Sequence, residues 1–258
     1  MAHVERLTVY PVKALDGVGV ETARIRETGT LAGDRRYKVV DAEGDLVNGK
    51  RTDRVHDLRT DFDLDSDVLT VAADGENETR SFDLTRTDER GAAETWLGDF
   101  FGVDATLRRA ELGGFPDRPS AGPSVISTAT VETVADWFDL TVESVRKRMR
   151  ANVEVGGVDP FWEDRFVGAD APAFEVDGVR FEGVEPCGRC VVPQRDPETG
   201  ERDPSFRQRF VERRRETLPE WVDRDAFDHY YQLMLIADVP ATDTAERVSV
   251  GDAVSLVE

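Results

Sequence analysis

The stretch that holds both cysteines constrains the fold more than any other part of the chain. Apolar and polar residues alternate over residues 173–183, and Asp177-Gly178 in the middle is a typical turn pair, so a β-hairpin is predicted. Cys187 and Cys190 follow the hairpin directly. Pro193 and a second proline four residues later exclude a helix soon after the cysteines. The thiols are therefore expected where a strand passes into a loop.

Four interpretations of the thiol pair remain open. A structural zinc site wants four ligands, but the only histidines, His3, His56 and His229, are scattered. A thioredoxin-like redox pair should open a helix, which the prolines disfavour. Two small buried residues at a turn would also account for the pair. Alternatively, one thiolate binds a soft or high-valent metal, with Arg189 and Arg195 favouring the thiolate form.

The charge of the chain excludes some classes of partner. The formal charge is −20, from 53 acidic and 33 basic residues, which argues against nucleic acid and anionic membranes as partners. No apolar run reaches the roughly eighteen residues of a membrane span, and the N-terminus does not resemble a signal peptide. A cytoplasmic protein with reduced thiols is therefore expected. Lysine occurs only at positions 13, 38, 50 and 147, and an acidic, lysine-poor chain is typical of adaptation to high salt.

Short strand patterns at intervals of roughly ten residues favour a small sheet or barrel in the first part of the chain. They cover residues 4–10, 20–25, 37–41, 46–51, 68–72 and 80–84. A helix is predicted over residues 92–101, ending at Gly102. Several basic residues stand at strand ends, where their charges suit a phosphate-bearing ligand. They are Lys13, Arg35, Arg36, Lys50 and Arg51.

A segment rich in glycine and proline, residues 113–123, predicts a linker and divides the chain into domains 1–112 and 113–258. The second domain should begin with a strand over residues 124–126. A helix over residues 128–140 follows, with Ser127 or Thr128 as N-cap. The remaining predicted elements are helices over residues 141–150 and 206–216.

Motifs that occur in order along nearly the whole chain resemble the MOSC family. The most specific is Cys187-Gly188-Arg189-Cys190, followed by Asp196-Pro197-Glu198-Thr199-Gly200. The others are Tyr10-Pro11-Val12-Lys13, Gly33-Asp34-Arg35-Arg36-Tyr37, residues 125–131, Arg150-Ala151-Asn152-Val153 and Val250-Gly251-Asp252-Ala253-Val254. Two positions depart from the family pattern: Ala14 stands where the family has serine, and Lys50 where it has arginine.

The resemblance implies a mainly β fold with flanking helices (α+β), in which an N-terminal MOSC-type β-barrel precedes a MOSC β-barrel domain. It also implies strands over residues 103–107 and 229–233. It also implies a molybdenum cofactor, a molybdenum-pyranopterin, with Cys190 as the metal ligand and catalytic residue. Cys187 lies an odd number of residues from Cys190, so on an extended segment it should face packing instead. The residues implied for cofactor binding are Lys13, Arg35, Arg36, Lys50, Ser127, Thr128, Arg150, Asn152, Arg189, Asp196 and Thr199.

The activity that the resemblance implies is reduction of small N-hydroxylated or N-oxide substrates. Electrons would come from a separate donor protein, ferredoxin-like or cytochrome/flavin-reductase-like. Two alternatives stay open: sulfur transfer through a persulfide on Cys190, and a non-enzymatic carrier of the cofactor.

Overall fold

The computed structural model describes residues 1–75, 78–117 and 122–257, and these ranges contain sixteen strands and four α-helices. The strands of the first half are β1 His3–Val9, β2 Val12–Lys13, β3 Val18–Val20, β4 Thr22–Arg24, β5 Tyr37–Val40, β6 Leu58–Asp63, β7 Val68–Ala73, β8 Thr79–Asp83 and β9 Thr106–Arg109. Those of the second half are β10 Ser124–Ser127, β11 Val153–Gly156, β12 Ala173–Val176, β13 Val179–Gly188, β14 Gln232–Asp238, β15 Arg247–Ser249 and β16 Val254–Val257. The helices are α1 Thr87–Phe101, α2 Thr128–Phe138, α3 Val142–Met149 and α4 Phe206–Thr217, with 3-10 helices at Asp53–Asp57, Trp162–Phe166, Val192–Gln194 and Arg224–Ala226.

Strands dominate the fold, which confirms the predicted mainly β class with flanking helices. The largest sheet has the order β16-β12-β13-β14-β10-β11-β1-β3. Smaller sheets have the orders β15-β4, β2-β5-β9 and β6-β7-β8. Within the described ranges these ladders are open sheets, because β16 and β3 are the two edges of the largest one. The closed barrels that were expected are therefore not formed by continuous strand pairing.

The chain crosses between two hydrophobic cores at its start. Val9, at the end of β1, packs in the core of the large sheet, whereas Val12, in β2, packs in the core beneath α1. Pro11 lies between them and ends the regular pairing of β1. Lys13 is thereby held at the junction of the cores. The predicted division at residue 112 stays a prediction, since β1 and β3 share the large sheet with strands of the second half.

Local sequence signals placed several elements correctly. The hairpin turn at Asp177-Gly178 joins β12 to β13 as predicted. Ser127 is the N-cap of α2, and its hydroxyl accepts a hydrogen bond from the Thr130 amide. Gly102 ends α1 in the left-handed conformation that glycine favours. Helix α1 begins at Thr87, five residues before the predicted start, because a polar first turn precedes its apolar stripe.

Two predicted strands in the first half are corrected by the structure. Leu46 makes only an isolated bridge with Val40, and the Asn48 side chain then turns the chain by accepting from the Lys50 amide at 3.0 Å. The strand predicted over residues 20–25 is split, since β3 pairs with β1 and β4 pairs with β15. Strand β6 was not predicted, because charged residues hide the burial of Leu58 and Phe62.

Two strands that the family resemblance implies start elsewhere. The strand at 103–107 is β9, shifted because the amides of Gly102 and Val103 both donate to Gly98 in the cap of α1. The strand at 229–233 begins only at Gln232, whose side chain accepts from the His229 amide. Near the end of the chain, a turn at Gly251 separates β15 from β16, which pair with different neighbours.

None of the helices in the described ranges is both long enough and apolar enough to cross a membrane. The predicted linker is described only in part, because residues 118–121 lie outside the described ranges.

Candidate functional site

A central cavity of about 680 Å³ lies between the junction of the two cores, the end of α3 and the end of β13. Residues from distant parts of the chain line it because β1, β11 and β13 belong to one sheet while β2 and β6 belong to others. It brings together seven of the residues predicted for the site: Lys13, Arg35, Lys50, Arg150, Asn152, Arg189 and Cys190.

Both cysteines line the central cavity and both are free thiols. Cys187 also packs against the apolar cluster of the helices, whereas Cys190 follows the end of β13 and receives the Val192 amide at 3.5 Å from its sulfur. Cys187 therefore packs as expected but also lines the cavity, and the assignment of Cys190 as the ligand stays a prediction. The strand ends at Gly188, so the alternation of side chains does not continue to Cys190.

The segment after β13, residues 189–200, is here called the thiol loop, and arginines hold it in place. Arg148, from α3, donates to the carbonyl of Pro193 at 2.8 Å and pairs with Asp196 at 3.2 Å. Arg189 donates to the sulfur of Cys187 at 3.2 Å and to the carbonyl of Met149 at 3.0 Å. These contacts tie the thiols to the end of α3. Sequence reasoning missed Arg148, although it lies two residues before Arg150.

Arg150 lines the cavity and ends α3 in the left-handed conformation. Its guanidinium carbon is 4.0 Å from the centre of the Tyr10 ring, and Nη2 donates to the carbonyl of Leu15 at 2.6 Å. Burial lowers the pKa of Arg150 and raises the pKa of Tyr10 to about 12. A guanidinium stacked in this way is held flat and ready to bind an anion.

The side-chain amide of Asn152 mainly holds the surrounding chain segments and offers few hydrogen-bonding groups to the cavity. Its Oδ1 accepts from the amide and hydroxyl of Ser124, at 3.2 and 3.1 Å. Its Nδ2 donates to the carbonyl of Thr8 and to the carboxylate of Asp34, at 3.0 and 3.1 Å. The amide thus joins β1 and β10 to the loop before β5.

Lys13 and Arg35 converge on one carboxylate. Lys13 Nζ lies 2.8 Å from Asp117 Oδ1, and Arg35 Nη2 lies 3.6 Å from Asp117 Oδ2. Burial opposes ionisation of Asp117, but Arg35 and Lys13 outweigh it and hold the pKa of this carboxyl below its usual range. Arg35 also pairs with Asp34. Both cations are thus paired with carboxylates of the chain, and an anionic ligand at the junction of the cores would share them with Asp34 and Asp117.

Positive charge is concentrated in the central cavity of an acidic chain. Among the described residues, ten arginines and lysines line it, against four carboxylates: Asp16, Asp117, Glu143 and Glu154. Three of the four lysines of the chain, Lys13, Lys50 and Lys147, are in this lining. Since the chain as a whole carries −20, this excess marks a site for an anionic ligand. The charge total alone could not have located it.

Two predicted residues are held away from the cavity by contacts in the thiol loop. Asp196 accepts from the amides of Glu198 and Thr199 and pairs with Arg148. The hydroxyl of Thr199 accepts from the amide of Glu201 at 3.3 Å. The Asp-Pro-x-Thr-Gly segment therefore shapes the loop, and these two side chains do not line the cavity.

Arg36, Ser127 and Thr128 are also absent from the cavity lining. Arg36 points to Asp67, a buried carboxylate that also bonds the hydroxyl of Tyr37. Ser127 is fully buried as the cap of α2, where its hydroxyl bonds that of Thr130 at 2.7 Å. Thr128 begins α2, with its hydroxyl buried. Arg36 and Ser127 are thus bonded within the fold, and the cofactor-binding role of all three residues stays a prediction.

His56 is a cavity residue that the sequence did not single out. Its Nε2 atom is buried without a hydrogen-bond partner, and a Cβ at Gly49 would lie 3.3 Å from it. Burial lowers the pKa of His56, and the nearby Arg195 lowers it further. Within the described ranges, no three histidine, cysteine, aspartate or glutamate side chains are grouped to hold a metal by themselves.

Comparisons with known proteins agree with the order of these elements. Residues 1–111 match the family model of the MOSC N-terminal beta barrel domain, and residues 118–255 match that of the MOSC domain. A molybdenum cofactor sulfurase of Caenorhabditis elegans is 35% identical over 225 residues, which cover 79% of this chain and 30% of the relative. Mitochondrial amidoxime reducing component 2 of Bos taurus is 24% identical over 238 residues, covering 76% of this chain and 67% of the relative. The chain spans less than a third of the length of the sulfurases that it matches.

Proposed function

The chain belongs to the MOSC family, and from that premise we propose that it binds a molybdenum-pyranopterin cofactor and reduces N-hydroxylated or N-oxide compounds. The observation that carries the proposal is the central cavity, in which an excess of cations surrounds a free thiol. The named relatives include both sulfurases and amidoxime reducing components, so the cofactor class is better supported than the reaction.

The donor set fits such a cofactor. A thiolate is a suitable ligand for a soft or redox-active transition metal, and Cys190 lies on a loop braced by Arg148. Lys13, Arg35 and Arg150 would hold the anionic part of the cofactor, since charged donors bind phosphate strongly. Arg189 would brace the thiol side of the cavity, and its Nε is a buried donor without a partner.

When bound, the cofactor supplies two-electron oxygen-transfer chemistry. The overall reaction takes an N-hydroxyl compound, two electrons and two protons to the corresponding N–H compound and water. The electrons would come from a separate donor protein. The protein contributes a thiol that lines the cavity and cations that would fix the orientation of the cofactor.

Metal and pterin analysis of protein from a molybdenum-replete host, followed by turnover with an artificial electron donor, tests the proposal. Equimolar molybdenum and pterin, together with reduction of an amidoxime, are expected. Cys190→Ala should fold but lose turnover and the thiolate–molybdenum signal, whereas Cys187→Ala should keep both. If only Cys187→Ala abolished turnover and the thiolate–molybdenum signal, the ligand would be Cys187.

A second function, sulfur transfer, is favoured by the sulfurase relatives and by the presence of both thiols in one cavity. Cys190 would carry a persulfide, and attack by Cys187 on its inner sulfur would form a disulfide and release hydrosulfide. Persulfide labelling after exposure to a sulfur donor distinguishes this function from reduction. Cofactor binding without turnover of either kind would instead favour a carrier.

A further inference from the structure

A carboxylate of the protein bridges two of the cations that line the central cavity. Glu198, on the thiol loop, lies between Lys147 of α3 and Arg59 of β6. Its Oε1 is bonded by Lys147 Nζ, and its Oε2 lies 3.3 Å from Arg59 Nη2. Arg59 also donates to the Glu198 carbonyl at 2.9 Å. Both cations line the central cavity, whereas Glu198 does not, so Glu198 joins two residues of the lining from outside it.

The Glu198 side chain is not needed to shape the loop that carries it. The turn is held by Asp196, whose Oδ1 accepts from the amides of Glu198 and Thr199 at 2.9 and 3.0 Å. Asp196 is in turn held by Arg148. The Glu198 carboxylate, about half exposed, can therefore leave its partners without unfolding the loop.

The two cations suit an external carboxylate for the same reason that they bind Glu198. An arginine and a lysine offer directed hydrogen bonds and positive charge to one anionic group. The Lys147 ammonium holds the pKa of Glu198 below its usual range, which shows that the position favours an ionised carboxylate. Exposed ion pairs are individually weak, so a ligand anion can compete for these partners.

We propose that Lys147 and Arg59 form a carboxylate-binding site for substrate in the cavity lining and that Glu198 occupies this site in the free protein. The substrate class is then an N-hydroxylated compound that carries a carboxylate. This inference rests on the proposed function for the reacting end of the substrate. It adds the recognition of the opposite end, with Glu198 as an internal competitor.

The test compares an aryl amidoxime bearing a ring carboxylate with its uncharged carboxamide analogue. Calorimetric dissociation constants and KM values are measured for wild type and for Lys147→Gln, Arg59→Gln and Glu198→Gln. We expect Lys147→Gln to weaken carboxylate binding relative to the carboxamide by about tenfold, the factor that corresponds to about 1.4 kcal/mol. Glu198→Gln should strengthen binding of the carboxylate relative to the carboxamide, because the internal competitor is removed.

Arg213→Gln and Glu216→Gln are the matched controls, because they make the same charge changes in an exposed pair on α4. Lys147→Gln is the decisive variant, since Arg59 also pairs with Asp74 and donates to the carbonyls of His56 and Leu58. The proposal is overturned if the affinities for the carboxylate and the carboxamide change by the same factor in these variants. It is also overturned if the control variants change the relative affinity as much as Lys147→Gln does. Absence of molybdenum or of any turnover would reject the proposed reaction alone, because the calorimetric ratio is measured independently of it.

Discussion

The central cavity differs in charge balance from a second group of buried charges, here called the closed cluster: Glu163, Asp164 and Arg214. Arg214 is fully buried, pairs with Asp164, and lies with its guanidinium carbon 4.5 Å from the centre of the Phe161 ring. Glu163 accepts from the hydroxyl of Thr130 and the amide of Ser127, each at 3.2 Å. Arg214 and Asp164 are each other's partners, and neutral donors hold Glu163, although Glu163 Oε1 and Arg214 Nη1 have no hydrogen-bond partner among the described residues. The lining of the cavity, by contrast, has more cations than carboxylates.

Burying an unpaired charge is costly, so buried charges in proteins are usually matched. The Arg214–Asp164 pair follows this rule and therefore indicates a structural role. The cavity departs from it at Lys50, Arg150 and Arg189, which form no ion pair with a carboxylate among the described residues, and this surplus indicates a ligand that is not part of the chain. Charge balance, more than burial itself, distinguishes the two regions.

The largest expected effect is the loss of one partner in the closed cluster. Arg214→Ala should lower the free energy of unfolding by about 3–5 kcal/mol, because Asp164 is left buried and unpaired. Denaturant unfolding of apo-protein measures the change. The neighbouring exposed residue provides the control, since Arg213→Ala should change stability by no more than about 0.5 kcal/mol. Equal effects of the two substitutions would contradict a structural role for the buried pair.

A smaller effect on stability but a clear effect on the ligand is expected in the cavity. Arg150→Ala removes a cation from a region that already has an excess, so unfolding of apo-protein should change less than in Arg214→Ala. Cofactor affinity should fall by about 1.5–3 kcal/mol, the usual contribution of a hydrogen bond to a charged group. Molybdenum and pterin content after dialysis measures this loss. Full occupancy in Arg150→Ala would remove Arg150 from the site.

The next effect is a pH dependence that belongs to the closed cluster. Burial, reinforced by repulsion from Asp164, raises the pKa of Glu163 to about 7 from a usual value of 4.5. The folded state therefore binds a proton that the unfolded state releases. The contribution of Glu163 to stability should be complete below pH 4.5 and decline as pH rises to about 7.

Glu163→Gln keeps the shape of the side chain and removes its titration. Unfolding free energies measured from pH 4.5 to pH 8 should then show a smaller decline than in wild type. Glu216→Gln, an exposed change on α4, is the control and should leave the wild-type slope. A slope that is the same in Glu163→Gln and wild type would show that the carboxyl is already ionised in the folded protein.

The sequence predicted features that depend on residues close together in the chain, and it missed features that depend on residues far apart. The spacing of Phe206, Phe210 and Arg214 places all three on one face of α4, so burial of Arg214 could have been inferred from helical periodicity. Cavity residues such as Lys13, Arg150 and Cys190 were found through short motifs. Arg59 could not be found in this way, because its contact with Glu198 joins residues 139 positions apart. Only the packing of β6 against the thiol loop brings them together.

The smallest effect on each ion pair is expected from added salt. The response to salt should differ between the exposed surface, the central cavity and the closed cluster. Added potassium chloride should raise the unfolding midpoint well beyond 0.15 M, where the Debye length is about 8 Å, because it screens repulsion among exposed carboxylates. The difference between Arg214→Ala and wild type should persist in 1 M salt, since buried pairs are screened much less than exposed ones. Carboxylate recognition by the exposed Lys147 should weaken over the same range. An unfolding midpoint that does not change up to molar salt would contradict adaptation to high salt. If the destabilisation caused by Arg214→Ala depended on salt, solvent would reach the closed cluster.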